Sequence, residues 1–106
     1  MIFETLFQFP DINQGVKTVA ETAGSLLLDV RTRQEYVQGH IPGSQNVPLQ
    51  SLDNIRLSVQ NKDTPLFVYC YSGGRSRQAA QQLRAMGYTN VKNLGGIAAY
   101  RGRVER

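Results

Sequence analysis

The sequence predicts an α/β domain built on a parallel sheet with helices on both faces. Two continuous apolar runs of strand length, Ser25-Leu26-Leu27-Leu28-Asp29-Val30 and Pro65-Leu66-Phe67-Val68-Tyr69-Cys70, have the composition of strands buried on both sides. Segments with apolar residues at helical spacing lie between and after them. Strands alternating with helices imply parallel pairing through helical crossovers. At 106 residues the chain forms a single domain, 1–106, with room for one modest core.

The elements follow in order. Phe3 to Phe9 is short and aromatic, which predicts an edge strand. Pro10-Asp11 offers a helix start with Asp11 as cap, and Ile12, Val16, Val19 and Ala20 share one helical face up to Gly24. After the first buried strand, Arg31 to Gln38 reads as a short helical turn. In Gly39-His40-Ile41-Pro42-Gly43 the Pro-Gly pair suits the centre of a tight turn. Gln45 to Pro48 is a brief strand, and Leu49, Leu52, Ile55 and Val59 mark an amphipathic helix. Beyond the second buried strand, Ala79, Ala80, Leu83 and Met86 form an apolar stripe that Gly87 ends. Val91 to Leu94 is a third short strand, and Gly95-Gly96 leads into a short final helix. Ligands of such sheets bind beyond the carboxyl ends of the strands, where Asp29 and Cys70 lie.

Composition narrows the function classes. One cysteine excludes an internal disulfide, and a lone histidine with a lone cysteine does not build a zinc site. Glu4 interrupts the apolar N-terminal stretch, which makes it a poor signal peptide, and no run has membrane-spanning length. The expected address is the cytoplasm. Net charge is +4 and unevenly placed: Arg75 onward holds seven basic residues against Glu105, while the first 74 residues hold five basic against seven acidic. That asymmetry favours anionic ligands or acidic partners near the C-terminal third. The basic residues are scattered without a nucleic-acid motif, and Arg101 to Arg106 reads as a solvated face.

The chemistry centres on Cys70, placed where a strand ends and a helix begins. Tyr71-Ser72-Gly73-Gly74-Arg75-Ser76 follows it. Main-chain N–H groups and a helix N-terminus there favour a thiolate, and the paired glycines let the backbone curl into an anion-binding nest. Arg75 adds a positive charge. A free cysteine otherwise serves as a small buried apolar residue, but that use requires neither Gly-Gly nor the Arg/Ser pair.

Leu28-Asp29-Val30-Arg31-Thr32, Glu35-Tyr36, Gly39 to Pro48, the Cys70 to Ser76 loop and Leu94-Gly95-Gly96 together resemble the rhodanese family in order and spacing. The resemblance spans about residues 11–102. It implies a central parallel sheet of about five strands and a ping-pong sulfur transfer through a Cys70 persulfide. A small anionic donor such as thiosulfate would load Cys70, and a thiol or protein acceptor would unload it. The substrate loop would be Tyr71, Ser72, Gly73, Gly74 and Arg75, with no metal or organic cofactor and no nucleic-acid or membrane partner. Oligomeric state is left open. Related phosphatases of this fold have five residues between cysteine and arginine, whereas four separate Cys70 from Arg75, a ring suited to a single sulfur.

Departures from the family pattern are Tyr71, where arginine is frequent, Ser72, where some thiosulfate-active members carry lysine, and Tyr100, where tryptophan is usual. Fewer cations at the mouth weaken binding of a small dianion. Asp29 is expected to cap backbone amides or pair with an arginine, and Arg31 to pair with an acidic side chain or face an anionic substrate. Glu35 either lines the pocket mouth or sits solvated on its helix. His40 is expected to stabilise its turn. The alternatives to an enzyme moving sulfane sulfur are a persulfide-sensing module that binds a protein partner and, less favoured by the spacing, a phosphatase-like hydrolase.

Overall fold

A computed structural model of the chain describes residues 11–106. The expected strand at Phe3 to Phe9 lies outside these residues. Asp11 caps helix α1 (Ile12–Glu21) by accepting from the Asn13 amide at 2.9 Å. Strand β1 (Leu26–Asp29), helix α2 (Arg33–Gln38) and strand β2 (Gln45–Asn46) follow. A 3-10 segment (Leu49–Asn54) leads into helix α3 (Ile55–Ser58), strand β3 (Leu66–Cys70) and helix α4 (Gly74–Ala85). Strand β4 (Val91–Gly96) and a 3-10 turn (Ile97–Ala99) complete the order.

Among the described residues four parallel strands form one sheet in the order β2-β1-β3-β4. The chain steps from β1 outward to β2 and then returns to the other side of β1 for β3. That reversal makes the carboxyl ends of β1 and β3, where Asp29 and Cys70 lie, the topological switch point at which parallel sheets of this kind bind ligands.

Alternation along the strands produces two buried clusters. Leu28, Val30, Leu66, Val68 and Cys70 pack with Ala79, Ala80 and Leu83 of α4 and with Leu52, Ile55 and Val59. Leu27, Phe67, Tyr69 and Leu94 pack on the opposite face with Ile12 and Ile41. Both faces are covered, as the continuous apolar strands require.

Three elements differ from the sequence expectation. The Leu49 to Val59 stripe is not one helix, because Ser51 leaves helical geometry (φ −111°, ψ 19°) and the chain runs as a 3-10 segment followed by a short α-helix. The stripe survives because residues three apart stay on one side of a 3-10 turn, so Leu52, Ile55 and Val59 are all buried. In α1 the buried partner of Ile12 is Gly15, while Ala20 is exposed. A Cβ at Gly15 would lie 2.5 Å from Leu94 Cδ2, so the missing side chain lets α1 close on β4. Finally, β4 continues to Gly96 through a bulge: Val68 pairs with Asn93 but Tyr69 pairs with Gly95, and Leu94 is the extra residue.

The basic C-terminal stretch is tied down as well as solvated. His40 and Glu105 exchange backbone hydrogen bonds of 2.8 Å each way, and Asn13 binds the Arg101 amide and the Ala99 carbonyl.

Candidate active site

Cys70 is the last residue of β3, and the chain must reverse at once to enter α4. Gly73 makes the reversal with φ +107°, a left-handed conformation that suits glycine, and it is the N-cap residue of α4. Its amide donates to Cys70 Sγ at 3.0 Å. Burial raises the thiol's pKa, but hydrogen bonds from the Ser76 hydroxyl and from the amides of Ser76, Gly73 and Ser72 outweigh it, and the net shift is downward. The Ser76 hydroxyl also lies 3.1 Å from the Gly73 carbonyl and 3.3 Å from that of Gly95. Its one proton serves the sulfur only when it leaves those oxygens.

The sulfur is shielded. Cys70 is 1% exposed and belongs to the α4-side core cluster, so it is both a core residue and the centre of an amide cup. Of the five loop residues expected to ring it, Gly73 donates its amide to the sulfur, while Ser72 and, from the first turn of α4, Ser76 help to lower the thiol's pKa. Tyr71 turns outward, 55% exposed, while its carbonyl accepts from the Ala98 amide at 3.0 Å. That contact clips the loop to the turn after β4. A Cβ at Gly96 would lie 2.6 Å from Ser72 Cα and would also overlap the Tyr71 carbonyl, so the loop sits directly against the bare backbone of β4.

Arg75 is not a free positive charge. Glu35 on α2 binds it in two-point fashion, Nη1 to Oε1 at 2.8 Å and Nη2 to Oε2 at 3.0 Å. Glu35 also completes a capping box with Thr32 at the start of α2. The Arg75 hydrogen bonds, opposed by partial burial and aided by Thr32, draw the Glu35 carboxyl down to about 2. Arg75 is raised in turn, chiefly by the Glu35 hydrogen bonds. Glu35 therefore lies at the loop and is not simply solvated.

Asp29 and Arg31 form a buried pair at the carboxyl end of β1. Arg31 Nε is 3.0 Å from both Asp29 oxygens, Nη2 is 2.7 Å from Oδ2, and the Arg31 amide donates to Oδ1 at 2.9 Å. Arg31 also binds the Gly39 carbonyl at 2.7 Å. Its guanidinium is committed to protein partners, which gives it a structural place and not a substrate-facing one. His40 stacks on Tyr36 with ring centroids 3.8 Å apart, the turn-stabilising position expected of it.

Sequence reading missed the polar knot around Tyr69. Its hydroxyl accepts from the Ile41 amide at 3.1 Å and sits 3.1 Å from Ser44 Oγ. Asn46 Nδ2 donates to the carbonyls of Asp29 and Arg31, both at 3.0 Å. These residues lock the Gly39 to Ser44 turn onto the strand ends. Tyr69 was hidden inside an apolar strand pattern. Ser76 was part of the Arg/Ser pair that marked the loop, but its influence on the thiol follows from its hydroxyl's place in the first turn of α4.

Comparison with known proteins agrees with this geometry. The family model of the rhodanese-like domain matches residues 13–103. The thiosulfate sulfurtransferase PspE of Escherichia coli is 41% identical over 71 residues, 66% of this chain and 68% of that protein. A sulfurtransferase of Allochromatium vinosum is 43% identical over 77% of each chain. Among solved structures, an Escherichia coli rhodanese with anions superposes with a TM-score of 0.72 at 35% identity, covering 77% of this chain and 98% of that one. The chain belongs to the rhodanese-like family and has the character of a rhodanese-type sulfurtransferase.

Proposed function

We propose that Cys70 is the sulfur-carrying nucleophile and that the enzyme works in two half-reactions. The Cys70 thiolate attacks the outer sulfur of a donor such as thiosulfate. The donor's S–S bond breaks, sulfite leaves with the electron pair, and Cys70 keeps the sulfur as a persulfide anion. A thiol or protein acceptor then attacks that terminal sulfur and regenerates the thiolate. Charge and electrons balance at each step, so the cycle needs no metal or organic cofactor. The observation that carries this reading is the Gly73 amide aimed at Cys70 Sγ from 3.0 Å, at the head of a twelve-residue helix.

Ser72, Gly73 and Ser76 hold the anion, Gly74 and Arg75 open α4, and Tyr71 stands at the mouth where the acceptor approaches. Asp29 and Arg31 tie the end of β1 to the Gly39 turn. The sulfurtransferase names of the relatives and the anions in the Escherichia coli structure support an anionic donor. A thiolate enzyme suits a reducing compartment, which supports the cytoplasm. Among the described residues no helix is long and apolar enough to cross a membrane.

The test is direct. Incubation with thiosulfate adds one sulfur to the mass of the protein, reductant removes it, and Cys70→Ser shows no addition. A parent protein that gains no sulfur, or a Cys70→Ser variant that still does, overturns the reading. The burial of Cys70 favours one second reading, a persulfide-holding regulatory module. It predicts that the same adduct forms yet persists against every small acceptor.

A further inference from the structure

Arg75 is the one basic side chain between Cys70 and Ser76, and its guanidinium is already occupied by Glu35 through bonds of 2.8 and 3.0 Å. Glu35 comes from a different element and is itself fixed by Thr32, whose amide and hydroxyl both donate to Oε1 at 3.1 Å. The nearby Arg31 is bound to Asp29. An anion arriving at the loop therefore meets a cation whose charge is balanced in advance. The pair remains reachable by water, with 38% of the Arg75 side chain and 32% of the Glu35 side chain exposed.

Resting on sulfur transfer at Cys70, we infer that Glu35 determines donor specificity: by balancing Arg75 it turns the site away from doubly charged small donors and towards singly charged sulfane donors such as thiosulfonates and alkyl persulfides. The reason is Coulombic. A dianion gains about twice what a monoanion gains from a freed guanidinium, so neutralising that group handicaps the dianion more. Partial exposure keeps the effect modest.

Glu35→Gln removes the charge while keeping a side chain that serves the capping box. The donor half-reaction is followed with thiosulfate, which releases sulfite, and with methanethiosulfonate, a monoanion that gives up the same sulfur and releases methanesulfinate. In the variant, kcat/KM for thiosulfate rises roughly two- to fivefold, the scale of a part-exposed ion pair, and that for methanethiosulfonate rises less. The change in the ratio shrinks at high salt and disappears when Arg75→Gln is combined with Glu35→Gln. A ratio that stays unchanged or falls, or a shift that survives Arg75→Gln, overturns the role of Glu35. If neither donor places a sulfur on Cys70 of the parent protein, the sulfur-transfer reading falls and this inference falls with it. Adduct formation with an unmoved ratio removes the inference alone.

Discussion

At Cys70 two opposing effects meet. Burial disfavours the anion, and hydrogen bonds to the sulfur favour it; the hydrogen bonds win because donors approach from both the loop and the first turn of α4. Ser76 is the decisive side chain. Ser76→Ala should raise the Cys70 pKa and slow alkylation at neutral pH by on the order of tenfold, since a hydrogen bond to a charged group is worth about 1.5–3 kcal/mol. An unchanged alkylation rate would show that the backbone amides suffice alone. Asp29 behaves differently because it meets Arg31 and not the sulfur. Asp29→Asn leaves a buried guanidinium without its counter-charge and should destabilise the fold by about 3–5 kcal/mol in denaturant titration, with the thiol profile of the folded fraction unmoved. Cys70 and its glycines were legible in the sequence, as was an ionic partner as one option for Asp29 and for Arg31, though not that the two bind each other. The neutralisation of Arg75 was not, because Glu35 lies forty positions away and only the crossover of the chain brings it to the loop.

The elements were legible wherever one period dominated. The runs at Leu26–Asp29 and Leu66–Cys70 appear as strands, and α4 follows its alanine and leucine stripe. Leu49 to Val59 broke the expectation because spacings of three and four fit either helix type, and nothing in the composition marked the departure at Ser51. The bulge at Leu94 was equally invisible, yet it matters most for the site: it shifts the register by one and brings Gly96 opposite Cys70. Gly96→Ala should therefore push the Tyr71-Ser72 backbone away from β4. The predicted result is a stability loss of about 1–3 kcal/mol, together with a fall in thiol reactivity that exceeds what unfolding explains. Intact reactivity in a folded Gly96→Ala protein would show that the loop keeps its shape without that close approach.

Across the whole molecule, the sheet order explains why the chemistry gathers at one edge. The reversal between β2 and β3 puts the switch point at the strand ends that carry Asp29 and Cys70, while α1 and α4 cover the two faces and leave those ends to the loops. The parallel class and its site-bearing end followed from strand–helix alternation. The strand order did not, because buried apolar runs carry no label for their neighbours. The tie between His40 and Glu105 depends on backbone pairing and left no trace in residue type. The proposed chemistry rests on one property, a Cys70 thiol whose pKa is lowered by the hydrogen bonds around it, and the rate of Cys70 alkylation as a function of pH measures it. Shielding scales the curve without moving its midpoint. The account predicts a midpoint below the ordinary cysteine value of about 8.5; a midpoint at or above that value contradicts it.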